Sequence, residues 1–196
     1  MHKLIILLTG MPGSGKSIVA EVAKSMNIEV LSMGDIVREE VSRRKLQPTP
    51  ENILKVATEL RKIYGLDIIA RRTTKKLIKI QSNVVLIDGV RGLYEVKVFK
   101  QYGECIVLAI HSSPKTRYER LRKRNRPGDP KTWNEFINRD LTELEFGIGN
   151  VIALADYIIV NEGSIEEFKR SVTTLLQEVL RKYESKSRSR DKTNRE

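Results

Sequence analysis

The sequence is poor in the residues that build disulfides and metal clusters. It holds one cysteine, Cys105, and two histidines in 196 residues. An internal disulfide is therefore excluded, and a multi-cysteine zinc cluster has no ligands. A lone thiol fits a reducing compartment, so the expected location is cytoplasmic. Long apolar runs are also missing: nothing approaches the roughly 20 apolar residues that a membrane span requires. The opening "MHKLIILLTG" is apolar but short and runs straight into glycine, which reads as a buried strand rather than a leader. No internal repeat is evident. Aromatic residues make up only 6% of the chain, and no aromatic-studded RNA motif occurs.

What is plentiful is positive charge. Lys and Arg number 36 against 25 acids, a formal net charge of +11. Such a balance fits nucleic acid, an acidic surface, or many phosphate oxygens to be neutralised. The cations gather at Arg38 to Lys45, at Arg71 to Lys79, at Arg117 to Arg126 and in the tail after Tyr183. Solvated helix faces account for much of this. With 40% apolar residues and this length, the chain suits one domain with an adequate core.

Short apolar runs at 4–8, 28–31, 84–87, 106–110 and 157–160 are rich in β-branched residues and read as buried parallel strands. Helical patterns lie between them. "SIVAEVAKSM" puts Ile18, Val19, Val22, Ala23 and Met26 on one face. "TPENILKVATELRKIYG" has a capping Thr49, Pro50 at the first turn, an apolar face of Ile53, Val56, Ala57, Leu60 and Ile63, and a stop at Gly65. "SIEEFKRSVTTLLQEVLRKY" opens with Ser164 and Glu167 in capping-box spacing. Alternating strands and helices imply an α/β fold, with helices on both faces of a five-stranded parallel sheet. Two intervals break the rhythm. Residues 35–83 must hold two or three helices, and residues 125–156 contain "NRPGDPKTW" and another helix. Both insertions emerge near strand carboxyl ends, where open α/β sheets bind ligands. The expected organisation is one domain over 1–183, with an insertion at 35–83, a short lid at 125–140 and a disordered basic tail at 184–196.

"GMPGSGKS" matches G-x-x-x-x-G-K-[ST] in full, after a strand and before a helix. Its residues Gly10, Met11, Pro12, Gly13, Ser14, Gly15, Lys16 and Ser17 form a phosphate-binding loop. The glycines let amide hydrogens turn inward around phosphate oxygens, and the helix N-terminus adds partial positive charge. Lys16 would reach the β- and γ-phosphates of ATP, and Ser17 would ligate Mg²⁺. Asp88, at the end of "NVVLIDG", is the candidate for the second metal-side oxygen, although Asp before Gly is also an ordinary turn former. No N-K-x-D guanine reader is present, which removes the strongest sign of a GTPase.

Further segments carry a family resemblance. "LSMGDIVR" resembles the Ser-Thr-Gly-Asp-x-x-Arg segment that opens the acceptor site of adenylate kinases. "LIDGVRG" resembles their Asp-Gly-x-Pro-Arg segment without the Pro, and "ERLRKR" their Arg-Leu-x-x-Arg entry to the lid. "ADYIIVNEGSIEEF" is similar to the carboxy-terminal segment of dephospho-CoA kinases. From about residue 3 to 182 the chain thus resembles an archaeal family of adenylate-kinase-related, dephospho-CoA-kinase-like P-loop proteins. The resemblance implies a P-loop fold of the nucleotide-kinase type. It also implies that Arg38 and Arg91 grip the acceptor's phosphate, for which a planar guanidinium fork is suited. Asp35 would start the acceptor helix and orient Arg38 or a ribose, and residues 46–72 would cover the acceptor base. Arg120 would lie against the ATP adenine. Arg124 and Arg139 would reach the transferring phosphoryl when the lid closes and excludes water.

The expected function is an ATP-dependent small-molecule kinase that transfers the γ-phosphoryl of Mg-ATP to a nucleoside monophosphate, with AMP favoured, or to a nucleotide-like acceptor. Dephospho-CoA stays open, with Asp35 as the base its hydroxyl would need. An ATP-hydrolysing assembly or regulatory factor that binds RNA or a ribonucleoprotein ranks second, and a nucleotide sensor without turnover is a third reading. Trp133 and Phe136 read as packing for the lid helix, His111 as a core-edge residue and Cys105 as an inert packed thiol. His2 carries no signal.

Overall fold

The computed structural model of the protein describes residues 3–193. His2 and residues 194–196 of the basic tail lie outside them. Strands β1 (Lys3–Thr9), β2 (Glu29–Ser32), β3 (Val84–Asp88), β4 (Gly103–His111) and β5 (Tyr157–Val160) form one sheet, in the order β2-β3-β1-β4-β5. All its pairings are parallel. The helices are α1 (Lys16–Ser25), α2 (Met33–Arg43), α3 (Pro50–Tyr64), α4 (Ile68–Leu77), α5 (Leu93–Phe99), α6 (Pro114–Arg124), α7 (Trp133–Glu145), α8 (Ile148–Ala153) and α9 (Ile165–Thr193). This is the expected α/β fold, a five-stranded parallel sheet with helices on both faces, and α2, α3 and α4 fill the first long interval.

A central parallel strand is apolar on both faces because helices cover both. In β1, Ile5 and Leu7 point into a core shared with α2, α3, α4, α5 and α8. Leu4, Ile6 and Leu8 point into the opposite core, closed by α1 and α9. Local signals fix the helix ends. Thr49 Oγ1 accepts from the Asn52 amide ahead of Pro50, and α3 stops at Gly65 with φ of 96°. Ser113 caps α6 in the same way before Pro114. The capping box also forms: Glu167 Oε2 accepts from the Ser164 amide at 2.9 Å, and Ser164 Oγ accepts from the Glu167 amide at 3.2 Å.

Three expectations need correction. Helix α9 runs on to Thr193, past the boundary drawn at 184. Tyr183 packs on the core, and Lys186 reaches Glu104 at 2.8 Å, so the turns just beyond 183 have anchors that composition alone does not reveal. Ile63 is exposed rather than on the buried face of α3. Cys105 lies within β4 instead of before it, half-buried, and burial pushes its thiol up to about 12, which agrees with an inert role.

One buried acid ties the insertion together. Glu40 on α2 is 4% exposed and accepts from Arg43 and Arg44 of its own helix and from Arg72 of α4. Arg44 continues to Glu59 of α3 at 2.7 Å. The hydrogen bond from Arg43, then those from Arg44 and Arg72, hold the carboxyl at about 2 against its ordinary 4.5. A carboxyl depressed by folding contributes stability that is complete above the unfolded value and is lost as pH falls through the folded one. Glu40→Gln should therefore lower the unfolding free energy at neutral pH by roughly 2 kcal/mol, a figure reduced for the exposure of Arg43. It should also flatten the acid loss between 4.5 and about 2, which denaturant titrations of both proteins across that window would read.

Candidate active site

The register brings the carboxyl ends of the strands side by side. Leu8 pairs with Asp88, and Asp88 in turn with Ser32. Every segment singled out from the sequence leaves the sheet on this edge. Thr9 Oγ1 donates to the Val90 carbonyl at 2.8 Å, joining the entry of the phosphate loop to the turn after β3. Gly10 and Gly15 take φ of 144° and 110°. A Cβ at Gly10 would run into the Ile110 carbonyl, and one at Gly15 into the Asn161 amide, so only glycine fits. Asn161, just past β5, donates to the Ser14 carbonyl at 2.8 Å, and Ser112 Oγ donates to the Asn161 carbonyl at 2.6 Å. The loop is thus shouldered by the ends of β4 and β5.

Lys16 Nζ donates to the Gly10 carbonyl at 2.5 Å and to the Met11 carbonyl at 3.2 Å. Burial pulls its pKa down to about 8, and Asp88 opposes that pull. Asp88, the last residue of β3, is itself raised by burial, with Lys16, Arg91 and Arg38 pulling the other way. Its Oδ1 is buried and has no hydrogen-bond partner among the described residues. Ser17 lines the same cavity. Two hard oxygens, one orphaned, fit Mg²⁺, which favours few protein ligands plus phosphate and water.

The loop opens on a cavity of about 460 Å³ whose wall includes Asp88, Arg38, Arg91, Arg120, Arg124 and Arg139. A second cavity, of about 540 Å³, adjoins it and shares Arg38, Arg91, Arg124, Arg139 and Glu143. The rest of its wall is more apolar: Val37 of α2, Ile53, Leu54 and Ala57 of α3, and Phe146 after α7. Of the arginines named from the sequence, Arg38, Arg91, Arg124 and Arg139 therefore meet at one junction, and Arg120 lines the first cavity alone.

Each of them is held. Arg38 donates to Asp35 at 2.5 and 3.1 Å, rather than pairing with Glu39 or Glu40. Asp35 sits in the first turn of α2, which starts at Met33. Arg91 donates through Nε and a terminal nitrogen to Glu143 at 2.5 and 3.2 Å. Arg124 forks onto Asp129 at 2.9 and 2.5 Å, and Arg139 reaches the Gly128 carbonyl at 3.2 Å beside it. Arg120 donates to Ser112 Oγ at 3.0 Å and to Asn161 Oδ1 at 3.3 Å, on the phosphate-loop side.

The lid segment 125–140 is two things: a loop to Thr132, then the first half of α7. That helix is pinned. Buried Arg117 on α6 forks onto Asp140 at 2.9 and 2.6 Å, and also donates to the carbonyls of Ser112 and Pro12. Phe136 is fully buried between Tyr118 and Trp133, with Arg117 over its ring, which agrees with a packing role. Sequence reasoning missed Glu143, Asp129, Asp140 and Asn161. Asn161 had a usable signal, its place directly after an apolar strand. The acids had none, because their partners lie far off in sequence or across a turn.

A family model described as an AAA domain matches residues 9–136. A UPF0200 protein of Hyperthermus butylicus is 56% identical over 175 residues, covering 89% of this chain and 94% of that one. A UPF0200 protein of Staphylothermus marinus is 53% identical over 182 residues, covering 93% and 96%. Among solved structures, TT1252 from Thermus thermophilus aligns with a TM-score of 0.64 at 19% identity, over 91% of this chain and 98% of that one. Shikimate kinase from Bacteroides thetaiotaomicron aligns at 0.59 and 20% identity over 91% and 98%, and a gluconokinase from Sinorhizobium meliloti at 0.55 and 16% over 93% and 96%. At these identities the structures show a shared fold.

Arg117→Ala should expose the worth of the pin. It leaves Asp140 buried without its partner, a change that typically costs about 3–5 kcal/mol. Thermal unfolding should fall accordingly, and a variant as stable as the parent would show that α7 is held by its apolar contacts alone.

Proposed function

The chain belongs to the UPF0200 family and carries an AAA domain on a P-loop kinase-like fold, and from that premise we propose that it is a small-molecule kinase using Mg-ATP. One observation carries the reading: a phosphate-loop cavity and a second, more apolar cavity meet at a shared wall of arginines. A triphosphate in the first cavity and an acceptor in the second would face each other across that wall. Phosphoryl transfer needs little more than alignment, metal and positive charge on the equatorial oxygens.

In this reading Gly10 to Ser17 cradle the triphosphate, and Lys16 sits at its β- and γ-oxygens. Ser17 and Asp88 hold Mg²⁺, which when bound neutralises phosphate charge. Arg124 and Arg139 serve the transferring group as catalytic residues, and Arg120 lies against the adenine. Arg38 and Arg91, aimed by Asp35 and Glu143, stand at the acceptor. Resemblance to adenylate kinases favours AMP as that acceptor, and resemblance to dephospho-CoA kinases favours a ribose hydroxyl. Neighbours named as a shikimate kinase and a gluconokinase support a small molecule over a macromolecule.

The net charge of +11 keeps an RNA-binding ATPase as the second reading. It ranks lower because no aromatic-studded RNA motif occurs and three cations of the basic stripe are paired internally: Arg71 with Asp67, Arg72 with Glu40 and Lys76 with Glu39. No described helix is long and apolar enough to cross a membrane, and the lone thiol remains the basis for a cytoplasmic location.

Incubation with Mg-ATP and a panel of acceptors should release ADP in step with one phosphorylated product. ADP release that no acceptor changes, with no product formed, would remove the kinase assignment. Asp88→Asn should weaken Mg-ATP binding at least about tenfold while leaving metal-free ATP binding nearly unchanged, because it removes a charged metal-side oxygen. An equal loss with and without Mg²⁺, measured calorimetrically, would show that Asp88 acts on the loop instead.

A further inference from the structure

Glu143 stands where the two cavities meet. It projects from α7, mostly buried, with both oxygens accepting from Arg91. Lys16 and Arg139 also act on its charge, and with Arg91 they hold the carboxyl below its ordinary range despite burial. It is therefore a fixed anion at neutral pH, beside the place where donor and acceptor would face each other. The base suggested from sequence, Asp35, is half-exposed, engaged by Arg38, and absent from the walls of both cavities.

Two classes of acceptor behave oppositely next to such a group. The nucleophilic oxygen of a monophosphate is already ionised: it needs no base, and it brings negative charge against the carboxylate. An alcohol brings no charge at its nucleophilic oxygen, and its proton must leave during attack. We propose that Glu143 is a catalytic residue, the general base for an alcohol, so that the acceptor is a hydroxyl-bearing small molecule rather than a nucleoside monophosphate. This rests on the kinase reading above and narrows its substrate class. In the step, the hydroxyl oxygen bonds to the γ-phosphorus. The bond from that phosphorus to the oxygen bridging towards the β-phosphorus breaks, and its electron pair leaves with ADP. The hydroxyl proton passes to Glu143. A largely dissociative transition state releases that proton late, when it is most acidic, so a weakly basic carboxylate suffices. Arg91 keeps the carboxylate aimed at the junction.

Water is the simplest hydroxyl, which allows a test before the acceptor is identified. The full chain and its Glu143→Gln variant are compared for ATP hydrolysis, for Mg-ATP affinity, and for AMP binding and conversion. Glu143→Gln is expected to lower hydrolysis about 100-fold, the usual range for losing a general base, without weakening Mg-ATP binding. It should also bind AMP more tightly than the parent, because the opposing charge is gone. Hydrolysis at the parental rate, or AMP converted to ADP equally well by both proteins, overturns this inference and leaves the kinase reading standing. A parent protein that neither hydrolyses ATP nor phosphorylates any acceptor overturns both. Should Glu143→Gln fail to fold, Glu143→Asp decides. It keeps the charge but withdraws the carboxylate by one methylene, so its rate must fall at constant Mg-ATP affinity, and an unchanged rate overturns the proposal.

Discussion

Lys16, Arg38, Arg91, Arg120, Arg124 and Arg139 line one cavity, and their mutual repulsion is the constraint that the surrounding structure answers. Two like charges about 4 Å apart repel by roughly 4 kcal/mol at the effective dielectric of a protein surface. Several of them cannot be gathered without counter-charge. The answer is distributed: Asp35 for Arg38, Glu143 for Arg91 and Asp129 for Arg124, with Arg139 at 3.5 Å from the same acid. Lys16 donates to two carbonyls and to no carboxylate among the described residues, and burial brings its pKa down to about 8. The acids come from α2, α7 and the loop before α7. Assembling the cationic wall is thereby the same act as packing those elements together.

The parallel sheet makes that assembly possible. Each strand ends on the same edge, so the residue after each strand starts within reach of the others. Thr9, Ser32, Asp88 and His111 are such ends, and the phosphate loop, α2, Arg91 and α6 follow them directly. Arg117 then binds the far elements to this edge. Its guanidinium touches Asp140 on α7, the Ser112 carbonyl after β4 and the Pro12 carbonyl in the phosphate loop. A single buried cation thus ties the phosphate loop to the helix that carries Arg139 and Glu143.

This division explains what could be read from the sequence. The strands, the glycine loop, the caps at Thr49 and Ser164 and the stop at Gly65 are local signals, written in consecutive residues, and the structure reproduces them. Arg38, Arg91, Arg124 and Arg139 were named through the resemblance to adenylate kinases, and the structure puts all four on the walls of both cavities. Their counter-ions were not legible. Glu143 lies 52 positions from Arg91, and Asp140 lies 23 from Arg117. No periodicity or motif spacing encodes pairs that exist only after folding. The end of α9 was misjudged for a related reason: the segment is polar, and its anchor to Glu104 comes from the start of β4, 82 residues away.

The insertion after β2 and the segment after α6 look like separate modules in the sequence, yet the structure joins them. Gly128 in the loop before α7 takes φ of 80°, and a Cβ there would collide with the ring of Pro50 at the start of α3. Asn138 and Thr142 of α7 line the second cavity together with Ile53 and Ala57 of α3. A molecule filling that cavity would therefore touch the acceptor-side helix and the lid-side helix together, and α7 would pass its presence to Arg139 and Glu143 beside the phosphate loop. In the proposed kinase reading, excluding water from the junction would depend on the acceptor itself completing the wall, which would favour transfer over hydrolysis. Arg91 stands at the centre of this arrangement because it belongs to neither module: it comes from the rigid sheet edge, its amide donates to buried Glu95, and its side chain reaches α7.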